Sequence, residues 1–463
     1  MIDFCFLCNK IQQEKELFVL AVIILAVFSL IYQFKNSGKL REIRSSNKGK
    51  EHGVIFGKKG RKVLYSPEDS EGHIGVFSAS GTGKTSAIGI PTLRTWHGTS
   101  YVIDISGDIC KNCPNMTNNK LVFSPETLDS SPYNLFGVID DFSDYSDKNE
   151  ALEQLAFLLM PNEISMNDNA KFFLVNGRKI LTASLIAFYS IGMDFIDIAT
   201  KIVESDWSEL FREIDKTENK DAIIYINSFL GASEQNTAGC KQTCDEALKL
   251  FATNAKIKRS IRRPKEGETA IQPKMLEKNN IFVVVGEDKL ALYMPLMNII
   301  TSQIMQYIGT RKVTDDSLTI LLFLDEYGSL KIDSNIVLDS VRRFRKRKCR
   351  VMLLMQNISD MTILYGGEVT RAILSNLRFK ILLGGLGEPE SQKYFAELIG
   401  YKKNKKVSKT KNSGKTVLTE TEAKEWVIEP ADLDRQGKDC AILILSSEKN
   451  GYIRLKKNYY FRK

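Results

Sequence analysis

The sequence predicts an α/β fold: a doubly wound, mostly parallel sheet with an inserted all-α domain and one N-terminal transmembrane helix. Three observations predict it. Short, almost wholly apolar runs, as expected of strands buried on both faces, alternate with helical patterns. A glycine-rich loop, Ser78-Ala-Ser-Gly-Thr-Gly-Lys84-Thr85, lies between one such run and a helix. Between Asp140 and Arg263 the strand pattern gives way to helical spacing.

Taken in order, residues 1–16 read as a short non-cytoplasmic segment. Leu17 to Phe34 (LFVLAVIILAVFSLIYQF) is uncharged and mostly apolar, and about 17 to 25 such residues span a bilayer core. The following flank carries Lys35, Lys39, Arg41, Arg44, Lys48 and Lys50 against Glu42, so the positive-inside bias places the rest of the chain in the cytoplasm. A cleaved signal peptide would need a basic start and a small-residue cleavage site, and neither is visible. Residues 35–70 form a basic linker and a β-like lead-in at 54–56 and 63–65.

The run His73-Ile-Gly-Val-Phe77 leads into the glycine-rich loop, and a helix is expected from Ser86 to Trp96. Strand, loop and helix in that order are what a phosphate-binding loop requires. Gly81 and Gly83 free the backbone of Ser80, Gly81, Thr82, Gly83, Lys84, Thr85 and Ser86 to turn its N–H groups toward the phosphates of ATP. The helix dipole adds to this. Lys84 would bridge phosphate oxygens and the Thr85 hydroxyl would ligate Mg²⁺. Ser78 stands where the strict pattern has glycine, and an ordinary glycine turn is the bland alternative.

Ser100–Asp104 and Lys120–Phe123 are expected as the next strands. The insertion at 140–263 then divides a nucleotide-binding domain into 71–139 and 264–463. Its helical spacing runs through Leu152, Leu155 and Leu159, then Ile180, Leu181 and Leu185, then Ile223, Ile226 and Phe229. Phe172–Ile191 is nearly long enough to span a membrane, but Asn176, Arg178, Lys179 and Ser184 make it a buried helix instead.

The strand signature returns at Ile281–Val285 and again in Leu318–Leu324, which ends in Asp325-Glu326. Carboxylates at that end of a strand sit where open α/β sheets bind their ligands. Asp325 would join the Mg²⁺ shell and Glu326 would orient or activate the attacking water. Gln356 ends the next strand, Arg350–Gln356, where it would sense the terminal phosphate. Lys380–Leu383 and a hairpin at 440–445 and 452–455 complete the sheet.

The formal net charge of +9 is compatible with a polyanionic partner. Basic residues cluster at 256–265, at 342–350 and at 402–415. They read as solvated faces, the third as a flexible loop, or as a surface tracking single-stranded DNA. Arg345 has a further option, stabilising charge at the γ-phosphate. Three histidines exclude a histidine-rich metal site. Cys110 with Cys113 and Cys240 with Cys244 would make a zinc site only if folding joined the two pairs.

The segments EGHIGV, SGTGKTSAIGIPTLRTWHGTSYVIDISGDI, LFLDEYGSL, FRKRKCRVMLLMQNISDMTILYG, ILLGGLGEPESQKYFAELIG and IEPADL, in this order, resemble the type IV secretion system coupling proteins. The resemblance implies a RecA-like, membrane-anchored ATP hydrolase of the inner membrane. It implies nucleotide contacts from Lys84 and Thr85, an acidic motif at Asp325 and Glu326, a sensor at Gln356, and Arg345 near the phosphates. It further implies a homo-hexameric ring around DNA, delivering a relaxase-bound strand or a protein effector to secretion-channel components. Many relatives carry two membrane helices where one is found here, and Ser78 departs from the loop pattern. The rival readings are a DNA segregation motor unrelated to secretion and a substrate receptor that does not hydrolyse ATP.

Overall fold

The computed structural model describes residues 42–162, 166–412, 415–445 and 451–462. The expected membrane segment at 17–34 lies outside the described residues, and no helix among those described is long and apolar enough to cross a membrane.

The strands are β1 (Arg44–Asn47), β2 (Gly53–Lys59), β3 (Lys62–Pro67), β4 (Ile74–Phe77), β5 (Thr99–Asp104), β6 (Asn119–Phe123), β7 (Asn279–Val284), β8 (Ile320–Leu324), β9 (Cys349–Met355), β10 (Phe379–Leu382), β11 (Tyr401–Asn412), β12 (Lys415–Trp426), β13 (Cys440–Ile444) and β14 (Tyr452–Lys456). All but β11 and β12 form one sheet in the order β1-β3-β2-β14-β13-β10-β4-β9-β8-β5-β7-β6. From β10 to β6 every pairing is parallel, while the pairings from β10 through β13, β14, β2 and β3 to β1 are antiparallel.

Alternation along the strands explains the double winding. In β8, Ile320, Leu322 and Leu324 enter one core cluster, and Leu321 and Phe323 enter the other. β8 is buried at every position, which is why it reads as a continuous apolar run. Ile88, Ile90, Leu93 and Trp96, from the helical segment after the glycine-rich loop, pack in the second cluster. The apolar stripes of the inserted helices pack in the first.

The insertion is helical throughout its described residues: Tyr145–Leu159, Asp168–Ser190, Phe195–Glu204, Trp207–Asp215, Lys220–Asn227, Glu234–Thr253 and Ala255–Ser260. Each of these helices starts after an Asp, Asn or Ser whose side chain accepts a first-turn N–H: Asp144, Asn167, Asp194, Asp206, Asn219, Ser233 and Asn254. Such caps contribute about 1 kcal/mol each. A neck closes the insertion's base. Tyr133 receives its backbone partners from Ser260 and Arg262, Pro132 and Asn134 bond Ile271, and the Tyr133 hydroxyl donates to Gln303.

One expectation is corrected. Of Lys402–Lys415, read as a flexible loop, residues Lys402–Asn412 form most of one arm of a two-stranded ribbon, β11 with β12, in register from Tyr401↔Trp426 to Asn412↔Lys415. In the sequence Ser-Gly stands between the two strands, a hairpin signal obscured by the density of lysines. At its base Tyr401 and Trp426 stack with ring centres 4.3 Å apart.

Candidate functional site

The glycine-rich loop follows β4, which lies between the parallel strands β10 and β9 near the middle of the whole sheet, and the ends of β9 and β8 come next in that order. The loop is pinned at several points. Ser78 donates its N–H to the Met355 carbonyl and Ala79 donates to the Gly385 carbonyl. The Thr82 hydroxyl donates to the Ala79 carbonyl at 2.7 Å and lies 2.5 Å from the Ser78 hydroxyl. Ser78 is fully buried. A serine thus takes the place of the first glycine and contributes a polar contact within the loop. Gly81 and Gly83 adopt φ of 72° and 106°, a region that side-chain-bearing residues rarely enter. A wide, π-type turn, Lys84–Gly89, carrying Thr85 and Ser86, leads into the helix Ile90–Thr95, so the helical segment begins slightly before the expected Ser86.

Lys84 is 5% exposed, and its ammonium donates to the carbonyls of Ser78 at 2.8 Å and Ala79 at 3.2 Å. Its third neighbour is Glu326 Oε1 at 3.7 Å. Burial lowers the Lys84 pKa, while Glu326 and Asp325 oppose that shift. Gln356 Nε2 donates to Glu326 Oε2 at 3.2 Å. Lys84, Glu326 and Gln356, picked from three separate stretches of sequence, therefore meet at the C-terminal edge of β4, β8 and β9. Glu326 adopts φ 46°, a strained conformation for a side-chain-bearing residue and one that recurs at functional sites.

Asp325 is 7% exposed, and its Oδ1 is buried without a hydrogen-bond partner. Its pKa is pushed up to about 7, first by burial and then by Glu326 and Asp104, with Lys84 opposing. A buried carboxylate with an unpartnered oxygen and acidic neighbours offers the kind of hard oxygen donor that a divalent cation takes. The pH dependence follows. Unfolded, Asp325 ionises near the ordinary value of about 4; folded, it ionises near 7, so metal-free stability drops as pH rises across that window. Asp325→Asn should lose less stability than wild type between pH 5 and pH 8, about 2 kcal/mol or more less. Chemical denaturation without metal reads this, and parallel pH profiles would remove Asp325 as the cause.

Sequence reasoning passed over Asp104. It ends β5, beside β8, fully buried, and accepts N–H groups from Gly107 at 2.9 Å and Cys110 at 2.7 Å. Burial raises its pKa against those bonds. A strand ending in Asp three residues before a glycine was the available signal.

Arg345 is placed elsewhere. It is exposed and precedes β9, whereas Gln356 follows that strand, so roughly 20 Å of β9 separates it from this chain's loop. It lies near His73, at the opposite end of β4 from the loop, whose pKa is pulled down to about 3 by burial and then by Arg350 and Arg345. The cysteine pairs do not meet as ligands. Cys113 packs in one core cluster and Cys240 and Cys244 in the other, and among the described residues no group of three or more His, Cys, Asp or Glu is placed to hold a metal.

Comparison with known proteins bears on the family and the fold. A family described as type IV secretory system conjugative DNA transfer matches residues 33–463. Protein VirD4 of Rhizobium radiobacter is 22% identical over 362 residues, 75% of this chain and 51% of that protein, so the chain spans about half the length of this curated relative. The bacterial conjugative coupling protein TrwBdeltaN70, in an unbound monoclinic form, superposes with a TM-score of 0.68 at 16% identity over 89% of each chain. TrwB in complex with the ATP analogue ADPNP gives 0.67 at 18% identity over 90% of this chain and 92% of that one. These likenesses give the fold, RecA-like with a large mostly parallel sheet, and the family match extends over nearly the whole sequence: the chain belongs to the conjugative DNA transfer family of type IV secretion systems, the coupling proteins.

Proposed function

We propose that this chain is a membrane-anchored ATPase that couples DNA–protein or protein substrates to a type IV secretion channel. The observation that carries the reading is the meeting of Lys84, Glu326 and Gln356 beside a buried, partnerless Asp325 oxygen. TrwB has been solved with ADP and Mg²⁺ and with ADPNP, which supports the same ligand class here. The backbone of Ser80 to Ser86 would hold the phosphates of ATP, and Lys84 would exchange its two loop carbonyls for phosphate oxygens. Thr85 and Asp325 would hold Mg²⁺, which when bound neutralises phosphate charge. Glu326, oriented by Gln356, would accept the proton of the attacking water.

Arg345, at the far edge of the sheet, could serve phosphate chemistry only in a neighbouring subunit's site, which fits a homo-hexameric ring. Residues 17–34 would anchor the ring in the inner membrane with the described residues in the cytoplasm. Single-stranded DNA, brought by a relaxase, would pass through the ring toward the channel components, and a protein effector would be handled in the same way. Adding single-stranded DNA to the purified full chain should raise ATP turnover severalfold, with a steep loss at higher salt. Turnover indifferent to DNA would remove DNA as the cargo of the motor.

A further inference from the structure

The C-terminal segment closes beneath the glycine-rich loop. β14 ends at Lys456, and Lys457 follows, 7% exposed, its backbone N–H given to the Asp439 carbonyl. Its ammonium donates to the carbonyls of Thr82 at 2.8 Å and Leu383 at 2.9 Å, and among the described residues it forms no ion pair. Beyond it, Tyr459 rests against Gly83, where an added Cβ would stand 3.2 Å from the ring. Tyr460 gives its N–H to the Ser86 carbonyl, and the Arg94 guanidinium lies 4.8 Å from the centre of the Tyr460 ring. Contacts from Lys457, Tyr459 and Tyr460 thus hold the loop and the turn after it at Thr82, Gly83 and Ser86.

Peptide geometry gives the Thr82 contact its meaning. In a trans peptide the C=O and N–H point in opposite directions, and the described chain has no cis bond. Fixing the Thr82 oxygen on the Lys457 ammonium therefore turns the Gly83 N–H away from that cation. A charged donor on the carbonyl also polarises the peptide and strengthens that N–H as a donor. Burying an ammonium on two neutral carbonyls is costly, and burial accordingly lowers the Lys457 pKa, with Asp439 and Cys440 opposing. A polyanion on the other face of the loop would offset that cost. The same side chain joins two loops at this edge, since Leu383 directly precedes the Gly384-Gly385 turn that accepts the Ala79 N–H.

We infer that Lys457 is a positioning residue for nucleotide binding: it holds the Thr82 carbonyl so that the Gly83 N–H faces the phosphates, and it places a buried positive charge behind them. This rests on the ATPase reading above. Lys457→Met keeps the length and apolar stem and removes the charge and its donors, whereas Lys457→Arg keeps both. Titrating the purified full chain with N-methylanthraniloyl-ATP should show binding about tenfold weaker or worse in Lys457→Met, the loss expected of a charge-assisted hydrogen bond. Lys457→Arg should recover most of the affinity, and in turnover Lys457→Met should raise KM for ATP by more than it lowers kcat. A side chain that merely fills space would be replaced adequately by methionine, so equal affinity in wild type and Lys457→Met overturns the inference. So does an arginine variant as weak as the methionine one. A wild-type chain that binds no ATP analogue instead overturns the nucleotide reading itself.

Discussion

Lys84→Ala should lower ATP turnover by the purified chain at least about a hundredfold, the cost of removing one preorganised donor from a transition state in which charge spreads over the transferred phosphate. The expectation draws on placement. The Lys84 ammonium is buried, 2.8 Å from the carbonyl of Ser78 and 3.7 Å from Glu326. The fold should survive, because burial already disfavours the charge on Lys84 and alanine removes that cost. A coupled ATPase assay on wild type and variant, each with a melting curve, separates lost chemistry from lost structure. A folded Lys84→Ala chain that hydrolyses ATP at the wild-type rate would mean that the phosphate loop is not where the nucleotide reacts.

The second large effect belongs to Glu326. Glu326→Gln keeps the shape of the side chain and a partner for Gln356 but removes the base. General-base contributions are typically about a hundredfold to ten-thousandfold, so kcat should fall by that range. ATP affinity should stay level or improve, because a negative charge beside the anionic ligand is gone. The separation is diagnostic: Lys84→Ala damages binding and turnover together, while Glu326→Gln should trap unreacted ATP, measurable as radiolabelled nucleotide retained on the protein. Trapping also bears on the idea of a receptor that does not hydrolyse ATP. If the variant supports transfer as well as wild type, hydrolysis is not what the chain contributes.

Much of the site was legible because its parts are local. A strand that is apolar at every position and ends in two acids, as β8 does, can be recognised without knowing its neighbours, and so can Gly81 and Gly83 ahead of Lys84. What joins them is not local. Neither the Gln356–Glu326 hydrogen bond nor the neighbourhood of Asp104 and Asp325 follows from any spacing, since both depend on the order β4-β9-β8-β5. Lys457 is the extreme case, 375 positions from Thr82 and unmarked by any motif. Arg345 shows the opposite failing. Its basic surroundings suggested phosphate chemistry, but a cluster of like charges does not say at which end of a strand it will stand. The ribbon was missed because lysine-rich composition outweighed the Ser-Gly signal in the sequence. The helical character of the insertion was legible from apolar spacing at 152–159, 180–185 and 223–229, while the capping residues that mark where its helices start went unread.

The stitched neck at Tyr133 sets how far the helical region and the phosphate-gripping edge can differ in their histories. Both ends of the excursion are tied at one spot, to Ser260, Arg262 and Ile271, beyond β6 at the rim of the sheet. A foreign bundle grafted between those ties would meet the same two anchor points, leaving β4, β8 and β9 untouched. The helical region can thus be exchanged as a unit while the edge carrying Lys84, Glu326 and Gln356 keeps its geometry.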